Sequence, residues 1–204
     1  MKIPLTFLLV AVATTTGTAE DPTPIVRGND PAQFDLVGLS PEAISIVDGE
    51  VRLTGKPMGY FATRQEYRDY TLSFDWKYDR PDDLKAEADF RGNSGLLIHV
   101  TRPHKVWPRC VEVQLAQADP GSIFAIGDRP WEVRGVPGAQ KAAVRPVGQW
   151  NRMVVTARAG AIVCELNGVE IARGEGARPD RGAIGWQSEG HAIRFREIRI
   201  RVLP

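Results

Sequence analysis

The chain has 204 residues, 43% of them hydrophobic, and its 26 basic and 25 acidic side chains leave a formal net charge of +1. That balance, with arginine dense only near the C-terminus, lacks the clustered basic excess of a nucleic-acid-binding surface. The length suits one domain able to bury a substantial core.

The first residues precede any folding argument. Lys2 gives a short positive region, Ile3 to Ala13 is largely apolar, and Gly17-Thr18-Ala19 supplies small residues for cleavage, the pattern of a secretory signal peptide. The apolar run is shorter than the ~20 residues that span a bilayer, and no cysteine near the cleavage point could carry a lipid. We therefore expect residues 1–19 to be removed, the mature protein to be secreted or periplasmic, and no membrane span. Residues 20–41, rich in proline, aspartate and glycine, are expected to form an irregular lead-in to one domain over 42–204.

Strand signals then follow one another. Ala43 to Leu53 alternates around Asp48-Gly49, a hairpin turn signal, and Tyr60 to Thr63 is a further short strand. Tyr70 to Tyr78 is the clearest strand: Leu72, Phe74, Trp76 and Tyr78 share one face and Ser73, Asp75 and Lys77 the other. A charged connection, Arg80 to Asp89, leads to strands at Gly95 to Val100 and Cys110 to Leu115. The stretch Ala116 to Gly148 reads as a long loop, and a loop of that length usually serves a site. Trp150 to Ala157, Ile162 to Leu166, a turn at Asn167-Gly168, Val169 to Ala172, Ala183 to Gln187 and His191 to Val202 complete the set. In the last strand the apolar phase shifts near Arg196-Glu197, which predicts a β-bulge. Its arginines read as a solvated outer face.

No helix of three turns is required outside the signal peptide. Many short strands with frequent turns predict an all-β fold, an antiparallel two-sheet sandwich or jelly roll. No P-loop, dinucleotide glycine motif or His-Glu metalloprotease helix is present, and no cofactor is expected.

Two neighbouring strands concentrate polar groups. In Cys110 to Leu115, Val111, Val113 and Leu115 face one way, and Cys110, Glu112 and Gln114 the other. In the preceding strand Leu96, Ile98 and Val100 are expected on one face and Asn93, Gly95, Leu97 and His99 on the other, with Gly92 and Gly95 permitting close approach to the backbone. A polar row beside a glycine-thinned strand suggests a site on a sheet. Metal ligation by His99, Glu112 and Asp75 has poor spacing support, so no metal is assigned. Cys110 and Cys164 can pair in only one way, or remain buried thiols.

Several phrases together resemble the 3-keto-disaccharide hydrolase domain family. They are Val47-Asp48-Gly49, the Tyr67 to Trp76 stretch, Gly92-Asn93-Ser94-Gly95, Glu112-Val113-Gln114, Gln149-Trp150-Asn151, Leu166-Asn167-Gly168, and Gly185-Trp186-Gln187-Ser188-Glu189-Gly190 leading into Arg194 to Ile198. Their order and spacing run from about Ala43 to the C-terminus. The resemblance implies a concanavalin A-like jelly roll in an exported protein that cleaves glycosides oxidised at carbon 3. By matching position it implies roles for Asn93, Glu112, Gln114 and Gln187. Ser188-Glu189-Gly190 replaces the Asp-His-Gly found in many members.

A carbonyl at carbon 3 acidifies the hydrogen on carbon 2, so a general base allows the anomeric substituent to leave by elimination, after which water can add. Glu112 suits the base, with Glu189 or His191 as second proton-transfer group. Asn93, His99, Arg109, Gln114, Trp131 and Gln187 are candidate substrate contacts. His99 reads equally as a hydrogen-bonded sheet residue, Arg109 as a partner of a surface acid, and Trp131 as cover for the core edge. The alternative chemistry is a conventional carboxylate pair, Glu112 and Glu189. The alternative function is a carbohydrate-binding domain without catalysis, and a third reading is an extracellular interaction domain.

Overall fold

The computed structural model describes residues 21–204; the signal-peptide expectation lies outside them. Among the described residues, fifteen strands form two antiparallel sheets. In chain order they are β1 (Thr23–Pro24), β2 (Asp35–Val37), β3 (Ile44–Val47), β4 (Glu50–Leu53), β5 (Gly59–Ala62), β6 (Tyr70–Tyr78), β7 (Gly95–Val100), β8 (Cys110–Gln114), β9 (Ile123–Ile126), β10 (Val133–Gly135), β11 (Asn151–Arg158), β12 (Ala161–Leu166), β13 (Val169–Gly174), β14 (Ala183–Ser188) and β15 (Ile193–Val202). The single α-helix among the described residues, α1, spans Ala139–Ala143.

The larger sheet runs β10-β13-β12-β11-β6-β15-β4-β3, with β1 also paired to β15. The smaller sheet runs β2-β5-β14-β7-β8-β9. Both pack their inner faces together, as an all-β jelly-roll sandwich. The hairpins joining β3 to β4 and β12 to β13 turn at Asp48-Gly49 and Asn167-Gly168, where both residues have positive φ, the geometry that matches the right-handed twist of the strands. Ala159-Gly160 makes the same turn between β11 and β12, with an alanine in the left-handed position at φ 50°.

Alternation decides which residues meet inside. Leu72, Phe74, Trp76 and Tyr78 of β6 face Leu96 and Ile98 of β7, Val111 and Val113 of β8, and Ile184 and Trp186 of β14, all fully or almost fully buried. Phe61 stacks on Trp186 with ring centroids 5.0 Å apart, and Phe74 meets Trp186 edge-on at 6.2 Å. Each such large side chain contributes roughly 1.5–3 kcal/mol on leaving water, and together they clamp the strands that carry the polar row.

Three local outcomes differ from the expected pattern. Residues 20–41 include β1, paired with β15, and β2, paired with β5, because strands this short leave no alternation to detect. The long loop after β8 contains β9, β10 and α1. In β7 the alternation breaks at His99, whose φ is 56°, opposite a register irregularity in β14. Val100 therefore joins Leu97 on the outer face rather than Leu96 and Ile98 on the inner one. The bulge expected in β15 is present, with the register shifting between Arg196 and Arg199 and Glu197 at φ 50°.

Candidate functional site

The site lies on the outer face of the smaller sheet. Part of that face is apolar and covered: Tyr60, Ala62, Leu97, Val100, Cys110 and Ala183 form a second buried cluster. Beyond that cluster the polar row emerges. Gly95 pairs with Gln114, Leu97 with Glu112, and Glu112 with Phe124 on the edge strand β9.

Gly95 makes the arrangement possible. A Cβ there would stand 2.3 Å from Glu112 Oε1 and 2.4 Å from Gln187 Oε1, so both side chains converge on the space that the missing side chain leaves. Glu112 is 8% exposed and Gln187 2%. Gln187 Oε1 is buried and accepts no hydrogen bond, which leaves an acceptor lacking a donor in the middle of the site.

Burial first, and then the neighbouring charge of Glu189, push the Glu112 carboxyl up to about 7. Glu189 is half-buried and also shifts upward through burial, while a hydrogen bond from the Asn93 side chain opposes the shift. Asn93 is held beside it by isolated backbone bridges to Glu189 and Gly190. A protonated Glu112 also carries the hydrogen that Gln187 Oε1 lacks, in keeping with the direction of its shift. Gln114 Oε1 accepts from the backbone N–H groups of Leu115 and Ala116 at 3.0 and 3.1 Å, which fixes the amide at the end of β8.

The remaining candidates do not gather at Glu112. His99 sits beyond the strand break, edge-on to Tyr70 at 5.8 Å, with Nδ1 3.1 Å from the Pro179 carbonyl oxygen and Nε2 3.2 Å from that of Arg68. Burial holds its pKa below the ordinary value, against the opposing pull of those carbonyls. Arg109 pairs with Asp128. Trp131 lies over Gly174 of β13 and packs against the main core. His191 is packed against Phe90, ring centroids 5.0 Å apart, and near Tyr78 at 6.5 Å; its Nδ1 is buried without a partner. Asp75 is held between Arg152 and Arg196 on the outer face of the larger sheet, away from His99 and Glu112. Among the described residues no cluster of three or more potential metal ligands is present. Cys110 and Cys164 are free, buried thiols, pushed upward in pKa by burial, one in each apolar cluster.

A concavity of about 650 Å³ lies on the outer face of the larger sheet between β1 and the β3–β4 turn. Its arginines are already matched: Arg194 pairs with Glu50 and Asp79, Arg52 with Asp79, and Arg199 with Glu197. Size favours that groove, whereas an unpartnered buried acceptor and a displaced carboxyl pKa favour the Glu112 face. The second criterion is the chemical one, and on it we take the Glu112 face as the candidate site. Residue alternation could not point to Phe124, which is 44% exposed beside Glu112, because β9 lies within a stretch that reads as loop.

Several solved structures share this architecture. A "putative glycosyl hydrolase from Parabacteroides distasonis ATCC 8503" is 22% identical, with a TM-score of 0.63 over 95% of this chain and 99% of that one. The carbohydrate-binding module CBM66 from Bacillus subtilis gives a TM-score of 0.55 at 9% identity, covering 83% of this chain and 95% of that one. A Bacillus licheniformis β-glucanase gives 0.52 at 11% identity over 93% and 100%. At these identities the likeness is one of fold. No curated protein matches the sequence. Residues 17–201, nearly the whole chain, match the profile of the 3-keto-alpha-glucoside-1,2-lyase-like domain, also known as the 3-keto-disaccharide hydrolase domain, and the chain belongs to that family.

Proposed function

We propose that this protein is an exported enzyme that cleaves glycosides whose sugar carries a ketone at carbon 3, by proton abstraction at carbon 2. Membership of the family supports a carbohydrate-related function. The observation that carries the finer reading is Glu112: a carboxyl group buried over Gly95, pushed up to about 7 and coupled to Glu189.

A carboxylate with an ordinary pKa is a weak base toward a carbon acid. Raising its pKa to near neutrality strengthens the base while leaving much of it ionised at pH 7. The ionised fraction of Glu112 can accept the carbon 2 proton, and Glu189, whose carboxyl pKa is also raised by burial, can protonate the departing oxygen. Electrons from the broken C2–H bond pass into the enolate at carbon 3. The same electrons then form the C1–C2 double bond as the C1–O bond breaks, and the aglycone leaves as an alcohol. Water added later across that double bond makes the overall result a hydrolysis. A donor for the enolate oxygen comes from the amide of Gln114, whose carbonyl oxygen is anchored to the backbone at the end of β8. Export rests on the N-terminal pattern of residues 1–19.

The test uses the mature protein with a 3-keto-α-glucoside and with its unoxidised parent, following aglycone release. Release from the keto sugar alone, lost in Glu112→Gln, is expected. Release from both at equal rates would point to the conventional carboxylate-pair mechanism. Sugar binding without release from either would favour the carbohydrate-binding alternative.

A further inference from the structure

We infer that Phe124 is the platform on which the leaving group's ring rests, and therefore a residue that determines specificity in the proposed cleavage. The inference rests on that functional reading for the identity of the leaving group, and on the sheet itself for the position of the ring.

Exposure rises in one direction across the outer face. Tyr60 on β5 is 0% exposed, Gln187 on β14 is 2%, Glu112 on β8 is 8%, and Phe124 on β9 is 44%. The β5 side is closed: Tyr60 lies against Gly185, and Val106 from the connection before β8 reaches over Gly38. The face therefore opens toward β9, the last strand of this sheet. A ligand enters from that edge, and a leaving group departs across it.

Phe124 stands at this mouth. It is the direct antiparallel partner of Glu112, so the two side chains project from the same face with Cβ atoms about 5 Å apart. That spacing is about the width of one pyranose ring. If the oxidised sugar lies against the Glu112 carboxyl, the next ring along the ligand lies over Phe124. A phenyl ring offers an apolar face to the C–H face of a sugar or to a planar aryl group and has no hydrogen-bonding atom to impose an orientation. An exposed phenylalanine on an edge strand is otherwise a liability, since such edges invite association between chains. The ligand class is thus a ring-bearing leaving group, a second pyranose or an aryl group, in preference to a small alkyl group.

The experiment compares a 3-keto-α-glucosyl-glucose disaccharide with methyl 3-keto-α-glucoside, using wild type, Phe124→Ala, Phe124→Trp and, as a control on the other sheet, Val169→Ala. Thermal unfolding checks that each variant is folded. Wild type should favour the disaccharide in kcat/KM. Phe124→Ala should lower that preference about tenfold, chiefly through KM, while Phe124→Trp and Val169→Ala retain it. An unchanged preference in a folded, active Phe124→Ala overturns the inference and leaves the proposed reaction intact. Should wild type cleave neither compound, the reaction is wrong, and calorimetric binding of the disaccharide then decides the platform alone. Weaker binding by Phe124→Ala than by wild type supports it; equal binding, or none, overturns it.

Discussion

The Glu112 carboxylate occupies the space over Gly95, with Oε1 2.3 Å from where a Cβ on residue 95 would stand. A glycine within a strand normally weakens a sheet through lost packing and greater unfolded-state entropy. Here its absence of a side chain is what lets a carboxyl group and the Gln187 amide share a buried hollow. Gly95→Ala should therefore separate stability from activity. The atoms in the way are the ends of two flexible side chains rather than backbone, so the fold should survive with stability changed by about 1 kcal/mol or less. Displacing Glu112 from its hollow should lower cleavage of a 3-keto-glucoside by about a hundredfold or more, because misplaced proton-transfer groups lose rate steeply. Denaturant unfolding and steady-state kinetics on the same preparation check both parts.

The raised pKa of Glu112 also predicts how stability depends on pH. Its folded value, about 7, lies above the ordinary value of 4.5, so the folded state binds this proton more tightly than the unfolded state does. Its contribution is fully present below pH 4.5 and is lost as pH rises through 7. Glu112→Gln keeps the shape without the charge. The variant and wild type should be about equally stable near pH 4.5, and the variant should gain relative stability with rising pH, reaching about 3 kcal/mol above pH 8. Urea unfolding at the two pH values measures the difference. A gap that does not widen with pH would mean that the carboxylate is solvated.

The sequence made the chemistry of β8 legible because its period-two alternation is unbroken: Val111 and Val113 go to the core, and Cys110, Glu112 and Gln114 to the other face. The shared phrases around Asn93, Gln187 and Glu189 placed the surrounding groups in the same neighbourhood. Alternation misplaced Val100 because the strand breaks at His99, where a residue in the left-handed region shifts every later side chain by one. Phe124 stayed hidden for a different reason. Ile123–Ile126 is a four-residue strand amid glycine and proline, paired on one side only, and its position is set by β8 rather than by its own pattern. Trp131 and Arg109 have residue types suited to sugar contacts, but their packing partners, Gly174 and Asp128, become apparent only in three dimensions.

His99 should titrate unlike an exposed histidine. Its two ring nitrogens both face backbone carbonyl oxygens, while a neutral imidazole has a single N–H, so only one of those contacts is a full hydrogen bond. Burial nevertheless keeps the ring neutral, with its pKa below 6.5. A depressed histidine contributes stability above its unfolded pKa and loses it as pH falls toward the folded value. The chain has three histidines, so an NMR titration resolves them individually. The His99 midpoint should lie below 6.5, and wild type should lose stability on acidification below that pH more steeply than His99→Asn. A midpoint at or above 6.5 would mean that the two carbonyls outweigh burial.

The two cysteines should be unreactive in the native protein. Cys110 is buried beneath the covered part of the smaller sheet's outer face, Cys164 between the sheets, and burial raises both thiol pKa values. The thiolate is the reacting species, so a low thiolate fraction and the absence of solvent access suppress modification together. They occupy different apolar clusters and are unpaired, so an oxidising compartment gives them no route to each other without unfolding. A thiol-specific aromatic disulfide reagent should label neither cysteine in native buffer and both in denaturant, with no change in mobility between reducing and non-reducing gels. Rapid labelling of one thiol in native buffer would locate an opening of the fold. If that thiol were Cys110, the opening would lie in the cover over the Glu112 face, and the rate of labelling would report how often that cover lifts.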